Sequence, residues 1–195
     1  MAEGVKARRR LETRRRLLTE ARRLFARHGY AAVSLAEIVG AAEVTKGALY
    51  HNFAGKAELF HVIVEEVQQE VADRVVAAAG ADEDPWEQLL AGCRAFLAVS
   101  RDPDVQRIML IDGPAVLGWS EWRAMDEASS ARHLTEALTA LIEDGTIAGQ
   151  PVEPLAHLLS GAMNEAALWL ARSTGPDDLP AVTAALTRML ESLRR

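Results

Sequence analysis

Apolar residues along this chain return at intervals of three and four, and no stretch shows the two-residue alternation of a half-buried strand. Leu11, Leu17, Leu18, Ala21, Leu24 and Phe25 put one apolar face on a first helix, which Gly29 closes in the C-cap role. Ser34-Leu35-Ala36-Glu37 has the capping-box spacing, a hydroxyl answered three residues on by a carboxylate. Leu35, Ile38, Val39 and Ala42 continue from it as a one-sided helix. Glu43-Val44 forms a short turn, and Thr45 caps a third helix that Leu49 and Phe53, four apart, anchor to a core. After Gly55 a fourth helix is predicted over about 56 to 79. Others follow at about 86 to 100, 103 to 111, 119 to 143, 151 to 173 and 178 to 194. The breaks between them fall at GADEDP (80 to 85), Arg101-Asp102-Pro103, Gly113-Pro114, 145 to 151 and 173 to 180. The pattern predicts an all-α chain of about nine helices without internal repeats.

Two short helices joined by a tight turn make a helix-turn-helix, whose second helix lies in the major groove while the first crosses the backbone. With Leu49 and Phe53 facing inward, Thr45, Lys46, Gly47, Ala48, Tyr50 and His51 are left to meet a partner. Lys46, Gly47 and Ala48 are the candidates for base edges, because small residues let a helix come close and a lysine reaches guanine. Gly47 weakens the free helix by about 1 kcal/mol relative to Ala, which suggests that close approach matters. Lys56 stands at a helix start, where the macrodipole disfavours a cation unless a bound phosphate supplies the anion. Ser34 completes the set of candidate DNA contacts.

Charge changes the picture only when the chain is divided. The 195 residues carry 22 Lys+Arg against 28 Asp+Glu, but residues 1 to 56 are net +7 and the remainder net −13. A basic head on an acidic body suits phosphate binding at one end and repulsion from DNA at the other. Arg8, Arg9, Arg10, Arg14, Arg15 and Arg16 carry much of the excess and together are suited to track a phosphate backbone.

The run GYAAVSLAEIVGAAEVTKGALYHNFAGKAELF, residues 29 to 60, resembles the N-terminal signature of the tetracycline-repressor (TetR) family of bacterial transcriptional regulators. The G-Y, V-T-K-G-x-L-Y-H-x-F and G-K elements stand in order at the family spacing. The resemblance implies an N-terminal helix-turn-helix DNA-binding domain, taken as residues 1 to 55, and a helical regulatory and dimerisation domain over 56 to 195. It also implies that Tyr50 and His51 touch phosphates. Three positions depart from the family pattern. Val33 removes a hydroxyl and with it a phosphate contact; Glu43 stands where glycine is usual, so a relaxed turn is expected; Asn52 leaves open how the recognition helix ends.

At 49% apolar residues the chain can bury a real core, and its lone Cys93, in an apolar helix, is expected to belong to it. No apolar run reaches the 18 or so residues of a membrane span, so a cytoplasmic protein is expected. Leu155, Leu158, Leu159, Ala162, Met163, Ala166 and Leu170 form a broad face on one late helix, and Val182, Leu186, Met189 and Leu190 form another. Two such faces suggest a four-helix bundle shared by two subunits, which also gives a two-fold reader of a palindrome. Between head and bundle, Trp86, Phe96, Met109, Trp119, Trp122 and Trp169, joined by polar Asp112 and Asn164, are candidates to line a ligand cavity. Asp112 needs a partner among its apolar neighbours: Arg107, Arg123 or a ligand donor. His133 and His157 have no metal-ligand partners at sensible spacing; no cofactor is expected.

These readings favour a homodimeric, ligand-responsive repressor that binds a double-stranded operator and is released by a small apolar or amphipathic effector. The alternative is a DNA-bound interaction protein whose body recruits another protein and takes no small molecule. No nucleophile, base and orienting residue fall at recognisable spacing, so an enzyme is not expected.

Overall fold

The computed structural model describes residues 2–173, 175–176 and 178–195, and among them the chain is helical throughout, apart from an isolated antiparallel bridge between Ile147 and Arg194. Ten helices follow one another: α1 (Ala2–His28), α2 (Leu35–Ala41), α3 (Lys46–Asn52), α4 (Lys56–Ala79), α5 (Pro85–Val99), α6, α7 (Trp119–Ala128), α8 (Ser130–Glu143), α9 (Val152–Arg172) and α10 (Asp178–Glu191). Helix α6 is one rod in three pieces, Pro103–Val105, a π-helical stretch Gln106–Asp112, and Gly113–Leu117. The ten differ from the nine expected because Ser129, at φ −116 and ψ −109, divides the predicted 119 to 143 helix. Thr174 and Asp177, within the predicted break before α10, lie outside the described residues.

The head folds as its pattern dictates. Leu17, Ala21 and Phe25 from α1 meet Ile38 of α2 and Leu49 and Phe53 at α3, all essentially inaccessible to solvent. The capping box forms in full: Glu37 N–H donates to Ser34 Oγ at 3.2 Å, and Ser34 N–H donates to the Glu37 carboxylate at 2.7 Å. That backbone hydrogen bond, with one from the Ser34 hydroxyl, holds Glu37 below the usual carboxylate range. Leu11, by contrast, is exposed, so the inward stripe of α1 starts only at Leu17.

Helix α4 belongs to both regions. Near its start Phe60 packs edge-on against Phe25, and Arg22 of α1 forks onto Glu70 with contacts of 2.5 and 2.8 Å. Its far end reaches the body, where α5 and α8 pack against it.

The break expected at Gly113-Pro114 is bridged by the π-helical stretch. Pro114 offers no N–H, and the wider ring brings the Gly113 N–H to the Ile108 carbonyl, five residues back. The Met109 carbonyl is thereby released from the helix and accepts the Trp122 indole N–H at 2.8 Å. A Cβ on Gly113 would lie 2.9 Å from the Trp122 ring, so this joint needs glycine. The rod ends instead at Gly118, at φ +83.

Candidate nucleic-acid interface and the cavity behind it

Helix α3 is held from behind and left bare in front. Thr45 caps it, accepting the Ala48 N–H at 3.1 Å, while Leu49 and Phe53 are buried. Lys46, Gly47, Tyr50 and His51 are exposed, and Ala48 is half-buried. A Cβ on Gly47 would meet nothing closer than the Thr45 hydroxyl at 3.9 Å. The fold therefore does not require glycine there, and its helix-weakening cost is unexplained by packing. Ser34 is exposed, but its hydroxyl is engaged with Glu37. Asn52 ends the helix by folding back, its amide donating to the Ala48 carbonyl at 2.8 Å.

At two positions that depart from the family pattern the structure is specific. Val33 is a core residue, its methyls packed into the head. Glu43 does not relax the turn. It takes φ 51, the left-handed conformation glycine would occupy, and is the one non-glycine residue at positive φ among the described residues. Its carboxylate lies 3.3 Å from the Arg16 guanidinium, so one of the basic residues of α1 is partly neutralised.

Lys56 is half-buried at the start of α4, its ammonium 4.1 Å from the centre of the Tyr30 ring. Burial pushes it below the ordinary lysine value, an effect that Glu37 and Asp112 oppose. Arg14 likewise stacks on Phe53 at 4.5 Å, while Arg8, Arg9, Arg10 and Arg15 stand free in solvent on α1.

Asp112 has the partner its burial demands, and the partner is the head. Its Oδ2 accepts the backbone N–H of Tyr30 at 2.7 Å and the Arg107 Nε–H at 3.1 Å. Gly29, at φ +80, makes room: a Cβ there would overlap the Arg107 guanidinium. One carboxylate on α6 thus ties the end of α1 to the body, and through the Tyr30 ring it reaches Lys56 and Phe60.

The body contains a cavity of about 80 Å³ bounded by α4, α5, α7, α8 and α9. Val75 and Ala79 of α4, Leu89, Cys93 and Phe96 of α5, Leu134 of α8 and Met163 of α9 supply its apolar wall; Asp126 and Ser160 supply polar atoms. Burial pushes the Cys93 thiol up to about 12, so it is core as expected, and a cavity wall as well.

Of the proposed ligand set, Phe96 alone lines this cavity, with Asn164 hydrogen-bonded to its Asp126 wall. Trp86 is sealed in the core, its indole N–H donating to Glu191 at 3.2 Å and holding α10 to α5. Met109 and Trp122 build the π-turn joint. Trp119 and Trp169 face solvent, at 66% and 49% exposure. Asp126 was missed because it lies in the polar run of residues 120 to 130; Ser160 and Asn164, four apart among apolar neighbours on one helix, were the available signal for the corner.

The proposed dimer set separates into two faces. Leu159, Met163, Leu170, Leu186 and Leu190 point into the protomer's own core. Leu158 and Met189 point out, at 73% and 51% exposure, as does Trp169 of the proposed ligand set at 49%, with Leu155, Ala162, Ala166 and Val182 half-buried. The outer stripe of α9 runs Leu158, Ala162, Glu165, Trp169, so Trp169 belongs with this face and not with the cavity.

Two family patterns match the chain: bacterial regulatory proteins of the tetR family over residues 17–63, and the tetracyclin repressor-like C-terminal domain over residues 86–193. A TetR-family transcriptional regulator from Pectobacterium atrosepticum, solved by crystallography, superposes with a TM-score of 0.78 at 37% identity, covering 95% of this chain and 96% of that one. The "Probable acrEF/envCD operon repressor" of Escherichia coli K12 is 37% identical over 116 residues, 56% of this chain and 51% of that protein. The chain thus spans about half the length of that repressor. RolR, crystallised with resorcinol, shares the fold at 21% identity, with a TM-score of 0.72 over 94% of this chain and 89% of RolR. No described helix is long and apolar enough to cross a membrane.

Proposed function

We propose, because the chain belongs to the tetracycline-repressor family and is a DNA-binding transcriptional regulator, that it works as a homodimeric repressor released from a palindromic operator by a small molecule held in its body. Residues 1 to 55 are the reader and 56 to 195 the regulatory and dimerisation part. The observation that carries the reading is the bare face of α3: Lys46, Gly47, Tyr50 and His51 exposed over a buried Leu49 and Phe53. Ser34, Thr45 and Ala48 border that face, and Lys56 meets a phosphate at the start of α4.

The exposed stripe of Leu158, Trp169 and Met189 is the surface on which a second copy docks, since a monomer rarely leaves large apolar groups aligned in water. The cavity supports the ligand-responsive reading over the interaction-protein alternative, and RolR, which shares the fold, was crystallised with the ligand resorcinol. Val75 and Ala79 line the cavity at one end of α4, and Lys56 stands at the other. A molecule that enlarges the cavity therefore acts on the lever that positions α3. It shifts the equilibrium only by its differential affinity for the two states; about 100-fold discrimination supplies about 2.7 kcal/mol.

The test uses a duplex that the parent protein selects from a random pool. Lys46→Ala combined with Tyr50→Ala is expected to weaken binding about 100-fold, each contact being worth about 1–3 kcal/mol. Unchanged binding by the double variant overturns the assignment of α3.

A further inference from the structure

The polar corner of the cavity is rich in acceptors and short of donors. Three donors converge on one oxygen of Asp126: Arg123 Nη1 at 2.7 Å, the Ser160 hydroxyl at 3.2 Å and the Asn164 amide at 3.4 Å all reach Oδ2. No described residue donates to Oδ1, although Asp126 lines the cavity and is 5% exposed. Asn164 Oδ1, one turn beyond Ser160, is buried without a partner. Turning that amide over does not relieve it, because its oxygen would then face the Asp126 carboxylate. Asn164 Oδ1 is a buried acceptor without a donor, and Asp126 stands on the cavity wall with an Oδ1 that no described residue occupies, so the corner suits a group that donates.

Charge narrows the class further. Asp126 is already matched by Arg123, which also reaches Glu127 at 3.2 Å. A cation entering this apolar space would lose its hydration without a free counter-charge, and an anion would face the Asp126 carboxylate. Size narrows it again: about 80 Å³ is roughly half of the ~150 Å³ that holds benzene in an engineered apolar cavity. A ring therefore enters by moving side chains, and Gln88 and His133, half-buried at the wall, are polar groups placed to yield.

We infer that the cavity takes a compact, uncharged, mostly apolar molecule carrying a hydroxyl or N–H donor, which it gives to Asp126 Oδ1. This deepens the ligand-responsive reading and rests on it for the consequence of binding, but not for the binding itself. The full-length protein is titrated by calorimetry with phenol, with toluene of similar size and no donor, with benzylammonium and with benzoate. Phenol is expected to bind at least 10-fold more tightly than toluene, as a hydrogen bond to a charged acceptor provides, and the two ions not to bind. Asp126→Asn is expected to bring phenol and toluene within about twofold of each other, with retained toluene binding reporting an intact cavity.

Toluene binding as tightly as phenol, an ion binding best, an unchanged preference in Asp126→Asn, or no binding by any probe each overturns the inference. If Asp126→Asn loses toluene as well, Ser160→Ala is measured instead: retained phenol preference upholds Asp126 as the acceptor, and its loss overturns it. Operator affinity is read separately with phenol present. Preferential phenol binding without any change in DNA affinity leaves the cavity chemistry standing and sinks the release mechanism.

Discussion

The head and the body of this regulator place their chemistry on opposite sides of the protein surface. In the head, the side chains proposed to read DNA from the front of α3 are exposed, and what lies behind them is scaffold: Leu49, Phe53, Ile38 and Phe25 are sealed while Lys46 and Tyr50 are bare. In the body, the informative groups are themselves buried. Asp126, Ser160 and Cys93 face an internal space, while the exposed residues Leu158, Trp169 and Met189 are apolar. An exposed reading face costs little folding energy and is set by one helix. A buried polar corner has to be satisfied by several helices at once, so its chemistry and its stability cannot be varied independently.

Chemical reactivity tests that contrast with the largest effect. The chain's lysines, Lys6, Lys46 and Lys56, all fall at or before residue 56, and its single cysteine is Cys93. With the thiol pushed up to about 12 by burial, its ionised fraction at pH 8 is about 10⁻⁴, against about a quarter for an ordinary thiol. The greater nucleophilicity of a more basic thiolate recovers part of that loss, and occlusion adds to it. Alkylation of Cys93 by iodoacetamide is expected to run about 10²- to 10³-fold slower than that of a free cysteine and to rise about tenfold per pH unit while the fold persists. Exposed Lys46 is expected to be methylated readily by formaldehyde and a borane reductant at the same pH. A Cys93 rate near that of a free thiol would mean that the cavity stands open and that the body hides nothing.

The joint between the two regions should respond next. Asp112→Ala strands the Tyr30 N–H and loosens Arg107, a loss of about 1–3 kcal/mol for a buried donor left without its acceptor. Asp112→Asn keeps an acceptor and should lose less. Equilibrium unfolding measures both. Hydrogen exchange then decides where the loss falls: selective loss of protection around Tyr30 makes Asp112 the tie between head and body, whereas an even loss makes it ordinary core.

The same contrast explains what could be read in advance. The bare face of α3 was legible because its information is local: a capping box at Ser34-Glu37, a cap at Thr45 and an i, i+4 pair at Leu49 and Phe53 determine which face of α3 is free. The cavity was not, because aromatic character does not say which way a helix is rotated. Trp86 and Trp122 fill core joints and Trp119 and Trp169 face water. Periodicity on α9 likewise merged two apolar faces into one broad stripe, although Leu159 and Met163 serve the core and Leu158 and Trp169 the surface. The π-helical stretch was hidden for a similar reason, since Gly113-Pro114 reads locally as a break and only the indole of Trp122, arriving from α7, shows what the released carbonyl of Met109 is for.

Glu43 gives the smallest expected effect and the finest test of how independent the head's two layers are. Its φ of 51 costs a side-chain-bearing residue about 1–2 kcal/mol relative to glycine. Against this, Glu43→Gly loosens the unfolded chain by about 0.5–1 kcal/mol and removes the Arg16 ion pair, whose side chains are 46% and 84% exposed and which is worth about 0–1 kcal/mol. The balance runs from a loss of about 1 to a gain of about 1.5 kcal/mol and moves towards gain at high salt, where the lost pair would have been screened in the parent. On DNA the substitution takes a carboxylate out of the turn between the two motif helices and frees Arg16, so operator affinity should rise. If Arg16 then reaches a phosphate, the slope of log affinity against log salt steepens by about 0.9. Stability that falls even at high salt would mean that the turn stores no strain at Glu43. Affinity that falls while stability rises would mean that the Arg16–Glu43 pair positions the reading face, and that scaffold and reader are not separable even where the sequence displays them apart.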